Sequence, residues 1–127
     1  MNRVILLGFV ALLAGCGAPT APNAAIGHAR RVEVVEMLES GQLTERDEFG
    51  SVVLPNDYAD LSHMGLVEVR DDPFMVFFTT WVGFSPDPYC GYEYSADPAA
   101  VEVDPRFSGI GEARPLNDEG WFWICAS

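Results

Sequence analysis

The segment Phe74-Met-Val-Phe-Phe-Thr-Thr-Trp-Val82 decides the fold of this chain. Every position as far as Phe78 is apolar, and successive side chains of an extended strand point to opposite faces of a sheet. A strand made from these residues therefore needs cover on both faces, which is typical of the centre of a sheet. Turn sequences bound the segment on both sides, Asp71-Asp72-Pro73 before it and Ser85-Pro-Asp-Pro88 after it.

Shorter strand patterns flank this segment. Residues 66–70 and 91–95 alternate between apolar and polar positions, as half-buried strands do. Residues 56–63 predict turns with one helical turn, and we expect long loops near 83–90 and 104–118. Three further strands are predicted, at residues 51–54, at 100–103 as a short edge strand, and at 121–126.

Residues 29–40 predict one amphipathic helix. Val34, Val35 and Leu38 form an apolar stripe at helical spacing, and three glutamates lie on the opposite side. The basic pair Arg30-Arg31 falls in the first turn, where the helix dipole disfavours positive charge. We expect this pair to be a solvated helix end, and contact with lipid phosphate is the alternative.

Together these elements predict an α+β fold. An N-terminal amphipathic helix packs on a small, curled, mostly antiparallel β-sheet of five or six strands, and residues 29–127 form a single globular domain. Connections are short, and nothing in the chain has the strand–helix–strand alternation of a parallel sheet.

The aromatic residues of two predicted strands fall on single faces. Trp121 and Trp123 share one face of their strand, and Tyr92 and Tyr94 share one face of theirs. If the two strands pair, the four rings form one ladder. We expect this ladder to belong to the core, and a binding surface is the alternative. Tyr89, beside a proline, is the aromatic residue that we expect to be most exposed.

The first sixteen residues have a different character. Arg3 precedes the apolar stretch 4–13, which is too short to cross a bilayer as a helix, since that needs roughly 20 residues. The stretch ends in Leu13-Ala14-Gly15-Cys16, which resembles the lipobox of bacterial lipoproteins.

That resemblance implies a lipid anchor and a location in the cell. Cys16 would be acylated through its thiol, and residues 1–15 would be removed as a signal peptide. Residues 16–28, which include His28, would be the lipidated cysteine and a flexible tether. The expected location is extracytoplasmic, on the cell membrane, or on the outer membrane of a two-membrane bacterium. The membrane is therefore the first expected partner.

Charge limits the other partners. The chain has 19 acidic residues against 7 basic ones, all of them arginine, and removal of Arg3 takes its net charge from −12 to −13. Such a charge disfavours nucleic acid and anionic lipid headgroups, and it favours a basic protein partner. The alternative is that the negative charge keeps the protein soluble at a crowded cell surface and has no partner.

Cys90 and Cys125 are an even pair once Cys16 is acylated. In a compartment that can be oxidising, such a pair predicts a disulfide, here closing a loop of about 36 residues. Free buried thiols are the alternative.

No residue pattern predicts a catalytic or metal site. His63 is the only candidate base, and its neighbour Ser62 is not directed toward it by sequence adjacency. Two histidines and a cystine cannot supply a zinc tetrad. The densest carboxylates, Asp71-Asp72 and the pair Asp57 and Asp60, lack the spacing of a calcium loop. We therefore expect no catalytic residue, no metal and no cofactor.

Residues 50–125 resemble a pattern in small uncharacterised bacterial proteins. The motifs that make the resemblance are Leu54-Pro55-x-x-Tyr58-x-x-Leu61-Ser62-x-x-Gly65, Phe77-Phe78, Gly91-Tyr92-x-Tyr94-Ser95-x-Asp97 and Trp121-x-Trp123. The resemblance implies one continuous fold and no particular activity.

The expected function is that of a lipid-anchored, non-catalytic cell-envelope protein that acts by binding. One alternative is an acidic inhibitor or immunity-type lipoprotein directed against a basic enzyme or toxin. A second alternative is a carboxylate-dependent cell-wall glycan hydrolase.

Overall fold

The computed structural model describes residues 26–83, 88–102 and 111–126, and in them the chain is mostly β. Six antiparallel strands form one sheet in the order β1-β2-β3-β4-β6-β5, so β6 lies between β4 and β5. The strands are β1 (Val52–Val53), β2 (Leu66–Asp71), β3 (Phe74–Val82), β4 (Tyr89–Ser95), β5 (Gly111–Pro115) and β6 (Trp121–Ala126).

Strand β3 lies inside the sheet, between β2 and β4, and the prediction that both of its faces are buried is confirmed. All four residues from Met75 to Phe78 are at most 4% exposed. Val76 and Phe78 belong to a larger core cluster on one face, with Trp121 and Trp123. On the other face Met75 and Phe77 pack in a smaller cluster with Val101, Phe122 and Ile124.

Two α-helices and two 3₁₀ helices accompany the sheet within the described residues. They are α1 (His28–Glu39), α2 (Pro98–Glu102), and 3₁₀ helices at Asn56–Leu61 and His63–Gly65. Val34 and Val35 of α1 are buried and belong to the larger core cluster. The apolar stripe of this helix therefore contacts the face of the sheet that carries the tryptophans.

The predicted edge strand at 100–103 is wrong, because the chain forms helix α2 there. The Asp97 carboxylate accepts a hydrogen bond from the Ala99 N–H at 3.2 Å, and Pro98 occupies the first helical position. Both residues favour a helix start at these places. Residue 103 lies outside the described residues.

The long loop predicted over 104–118 is also wrong in its second half. Strand β5 occupies Gly111–Pro115 and pairs with β6 through five residue pairs. Its residues from Glu112 to Pro115 are exposed, so the strand has no buried face that would give it an alternating pattern. Residues 104–110 of that predicted loop lie outside the described residues, as do 84–87 of the other predicted loop.

The aromatic ladder is confirmed as part of the core. Tyr92 is opposite Trp123 with ring centroids 5.0 Å apart, and Tyr94 is opposite Trp121 with centroids 5.5 Å apart. The expectation for Tyr89 is wrong, because its half-buried ring packs edge-on against Phe77.

Among the described aromatic residues, the side chain that projects into solvent is instead that of Phe49, which is 85% exposed. It lies in a turn whose Asp47 carboxylate accepts hydrogen bonds from the N–H groups of Phe49 and Ser51, each at 2.9 Å.

Cys90 and Cys125 are joined by a disulfide. They are directly opposite each other on β4 and β6, with a Cα–Cα distance of 4.1 Å. Cys90 is buried in the larger core cluster, and Cys125 is half-buried against the same cluster. The bond links two neighbouring strands at the end of the aromatic ladder.

Candidate binding site

The one serine–histidine pair suggested by sequence is not arranged for nucleophilic catalysis. Ser62 is buried, and its hydroxyl donates to the Leu66 carbonyl at 2.5 Å, with a longer contact to the Thr79 carbonyl at 3.4 Å. His63 begins the next 3₁₀ turn and is exposed. The serine therefore holds the start of β2 in place.

The candidate metal carboxylates are dispersed or occupied. Asp60 makes a two-point ion pair with Arg30, at 2.7 and 2.9 Å, and this hydrogen bonding lowers the pKa of the Asp60 carboxyl. Asp71 and Asp72 are exposed in the β2–β3 turn. Across the described ranges, no three His, Cys, Asp or Glu side chains are close enough to hold a metal ion.

The expectation that Arg30 and Arg31 form a solvated helix end is wrong. Besides its pair with Asp60, Arg30 donates to the Asp57 carbonyl and lies over the Tyr58 ring at 5.8 Å. Arg31 is only 7% exposed. The first turn of α1 is therefore attached to the protein on two sides.

Arg31 is a buried cation on the aromatic ladder. Its guanidinium carbon is 4.3 Å from the centroid of Tyr92 and 5.9 Å from that of Phe78, and Nη1 donates to the Ile26 carbonyl at 3.1 Å. Burial disfavours the charged form and lowers the pKa of Arg31. The sequence held a signal for this position, because residue 31 continues the stripe of Val34 and Val35 by one helical turn.

A groove runs between α1 and the end of the aromatic ladder, and we call it the aromatic–acidic groove. Its volume is about 230 Å³. The α1 side presents residues spaced three and four apart, and so on one side of the helix. Its lining residues are Val32, Val35, Glu36 and Glu39 from α1, Tyr94 from β4, Glu119 from the turn before β6, and Trp121 from β6.

The floor of the groove is aromatic and held from several sides. Tyr94 is half-buried and packs against Trp121, which is 3% exposed, and against Phe74 at 6.3 Å. His28, assigned to the tether by sequence, is the first residue of α1, and its ring packs edge-on against Trp121 at 5.2 Å. The rings of the floor are therefore packed against neighbouring side chains on several sides.

The rim of the groove is acidic. The side chains of Glu36, Glu39 and Glu119 are exposed, and none makes a hydrogen bond or ion pair with another described residue. Glu33, one turn away, differs because its carboxylate accepts the Tyr58 hydroxyl at 2.8 Å. The three rim carboxylates are thus available to an external partner.

Two other cavities are less suited to a ligand. One, of about 370 Å³, lies between α1 and Tyr58, and the Glu33 carboxylate in its lining already accepts a hydrogen bond from the Tyr58 hydroxyl. The other, of about 360 Å³, is a notch between the Phe49 turn and β2, and polar surface dominates its lining. Neither of these two cavities combines an aromatic floor with several free carboxylates.

Comparisons with protein-family models, with curated proteins and with solved structures found no match. In the described part of the chain, no helix has the length and apolarity needed to cross a membrane.

Proposed function

We propose that this chain is a lipid-anchored, non-catalytic cell-envelope protein that acts by binding a basic protein. The observation that supports binding is the aromatic–acidic groove, with its packed aromatic floor and three free carboxylates. The lipid anchor is supported by Leu13-Ala14-Gly15-Cys16, with Cys16 as the acylated residue. On this proposal the protein is extracytoplasmic.

Three of the four buried polar or charged side chains in the described part of the chain have a structural role, which supports binding rather than catalysis. The hydroxyls of Ser62 and Ser95 both donate to backbone carbonyls, at 2.5 and 2.7 Å. Arg31 lies on Tyr92 inside the core. These groups stabilise turns and the contact between helix and sheet, and those structural roles explain their burial without a substrate.

Electrostatics supports a basic partner. Glu36, Glu39 and Glu119 border one groove in a chain whose formal net charge is −12. Charge complementarity accelerates association and makes it sensitive to salt. With His28 in α1, the tether is at most the eleven residues 17–27, which extend to no more than about 40 Å, so a binding domain would remain close to the membrane.

The α+β arrangement belongs to the same proposal. We propose that α1 covers one face of a curled sheet, which is supported by the burial of Val34 and Val35 in the tryptophan-bearing cluster. In this arrangement the helix both completes the core and supplies one wall of the groove.

Two matched variants test the proposed function. The groove variant is Glu36→Gln/Glu39→Gln/Glu119→Gln, and the control variant is Glu45→Gln/Glu48→Gln/Asp72→Asn, which removes the same charge from exposed positions outside the groove. The full chain is immobilised in a neutral detergent, and retention of lysozyme, a basic protein, is measured at about 20 mM and about 500 mM salt, where screening lengths differ several-fold.

We expect the wild type and the control variant to retain lysozyme at low salt only, and the groove variant to lose retention. Equal retention by both variants, or none by the wild type, would contradict the proposal. Lysozyme activity measured in the same samples separates simple binding from the inhibitor alternative. Turnover of cell-wall glycan by the wild type would support the hydrolase alternative instead.

A further inference from the structure

The aromatic ladder already binds one guanidinium inside the protein. Arg31 lies over Tyr92 at 4.3 Å, within the range of a cation–π contact. The next pair of rings along β4 and β6 is Tyr94 with Trp121. This pair forms the floor of the aromatic–acidic groove, so the ring surface that holds Arg31 continues along the ladder to the half-buried Tyr94, which lines that groove.

The size of the groove limits what can enter it. A volume of about 230 Å³ is below the roughly 300–1,000 Å³ of sites for small molecules and cofactors. A single long side chain is a better match, with its aliphatic stem against Val32 and Val35 and its charged end at the rim.

The residues that line the groove favour a guanidinium over an ammonium group at the charged end of the bound side chain. No lysine or arginine lines the groove, while Glu36, Glu39 and Glu119 border it without counter-ions among the described residues. A guanidinium is planar, stacks on aromatic rings and pairs with carboxylates through two parallel hydrogen bonds. An ammonium group makes the ion pair but lacks the planar stacking.

We infer that the aromatic–acidic groove binds the arginine side chain of a partner protein. The guanidinium stacks on the Tyr94 ring and pairs with the rim carboxylates, and its stem contacts the valines of α1. This inference rests on the proposed function and narrows it, because it assigns the partner's contact residue and the surface that receives it.

The test uses arginine amide as the probe and the indole signals as the readout. The full chain contains three tryptophans, so an isotope-labelled sample in neutral detergent gives three indole N–H signals in a nuclear magnetic resonance spectrum. Arginine amide, lysine amide and citrulline amide, each with an acetylated α-amino group so that only the side-chain charge differs and citrulline is the uncharged isostere, are titrated at constant ionic strength. The groove and control variants are titrated in the same way, and backbone signal dispersion verifies that each is folded.

We expect a saturable shift of the Trp121 indole with arginine amide, a several-fold weaker response with lysine amide, and none with citrulline amide. The groove variant should bind arginine amide at least tenfold more weakly, and the control variant should bind it as the wild type does. Absence of the Trp121 shift, an equal shift with citrulline amide, or equal weakening in both variants would overturn the inference.

The two proposals fail in different ways. If lysozyme retention depends on the groove carboxylates but arginine amide does not shift Trp121, only the arginine inference is overturned. If lysozyme retention itself is absent or independent of the groove, the proposed function is overturned with it.

Discussion

Replacement of Arg31 by methionine is predicted to leave the protein at least as stable as the wild type. Arg31 is only 7% exposed, and within residues 26–83, 88–102 and 111–126 no carboxylate is hydrogen-bonded to its guanidinium. Its Nε is buried and has no hydrogen-bond partner among those residues. Desolvation of a charged group costs several kcal/mol in real proteins.

The favourable contacts of Arg31 offset only part of this cost. The stack on Tyr92 is worth about 2 kcal/mol for a desolvated cation, and one hydrogen bond to a carbonyl adds about 1 kcal/mol. Methionine retains an unbranched apolar stem in the same space and carries no charge. We therefore expect Arg31→Met to change the free energy of unfolding by between about 0 and +2 kcal/mol.

Alanine at the same position should have the opposite effect. It would leave a cavity against Tyr92 and Phe78, and truncation of a buried Met-sized side chain costs about 2–5 kcal/mol. Arg31→Ala should therefore be less stable than Arg31→Met by that amount. Arg30→Met, which breaks an exposed ion pair, is the neighbouring control and should change stability only slightly, because solvent screens exposed charges.

Urea unfolding of the four proteins, followed by tryptophan fluorescence, measures these differences. The reasoning is refuted if Arg31→Met is destabilised by more than about 1 kcal/mol, because the guanidinium contacts would then outweigh the desolvation cost. It is also refuted if the methionine and alanine variants have equal stability, since burial of the stem would then contribute nothing.

Three further predictions concern the sheet and the first turn of α1. Gly91→Ala should prevent folding or destabilise the protein by more than about 4 kcal/mol, since its Cβ would lie 2.0 Å from a β3 carbonyl oxygen; circular dichroism and thermal melting measure this. The double variant Cys90→Ser/Cys125→Ser should lose about 4 kcal/mol of unfolding free energy on the chain-entropy model, and equal urea midpoints for oxidised wild type and variant would contradict it. The pKa of Asp60 is lowered from 3.8 in the folded protein, so its ion pair stabilises the fold above that pH, and this stabilisation is lost as the pH falls through the folded pKa. The urea midpoints of the wild type and of Asp60→Asn should therefore converge in acid. A difference between the two midpoints that stays constant with pH would be inconsistent with this.

Local patterns predicted the centre of the sheet well. The unbroken apolar run of β3 and the paired aromatic residues of β4 and β6 each determine which faces are buried, because alternation along a strand is fixed by backbone geometry. The ladder followed from that alternation once β4 and β6 were assumed to pair. These features depend on few long-range assumptions, which is why the structure agrees with them.

The sheet edge and the helix start were harder to predict. β5 is exposed along Glu112 to Pro115, so no hydrophobic pattern distinguishes it from a loop. For α2, Val101 suggested a strand, although Asp97-Pro98 is a helix-start sequence. The charge of Arg31 suggested exposure, whereas its spacing from Val34 and Val35 indicated burial.

The candidate site was predictable only in part. Its aromatic floor was expected from sequence as a ladder, but the rim depends on tertiary packing. Glu119 borders the groove with Glu36 and Glu39, which are about 80 positions earlier in the chain. Nineteen acidic residues offer many such combinations, so only the packing of α1 against β4 and β6 identifies these three.

The fate of Cys16 tests the central claim most directly. Cells producing the wild type and Cys16→Ser are separated into soluble and membrane fractions, and the wild-type N-terminus is examined by mass spectrometry. The account predicts a detergent-extracted wild type that begins at an acylated Cys16, and a variant released from the membrane. A variant that still partitions with membranes, or a mature wild type that carries no acyl group on Cys16, would contradict it.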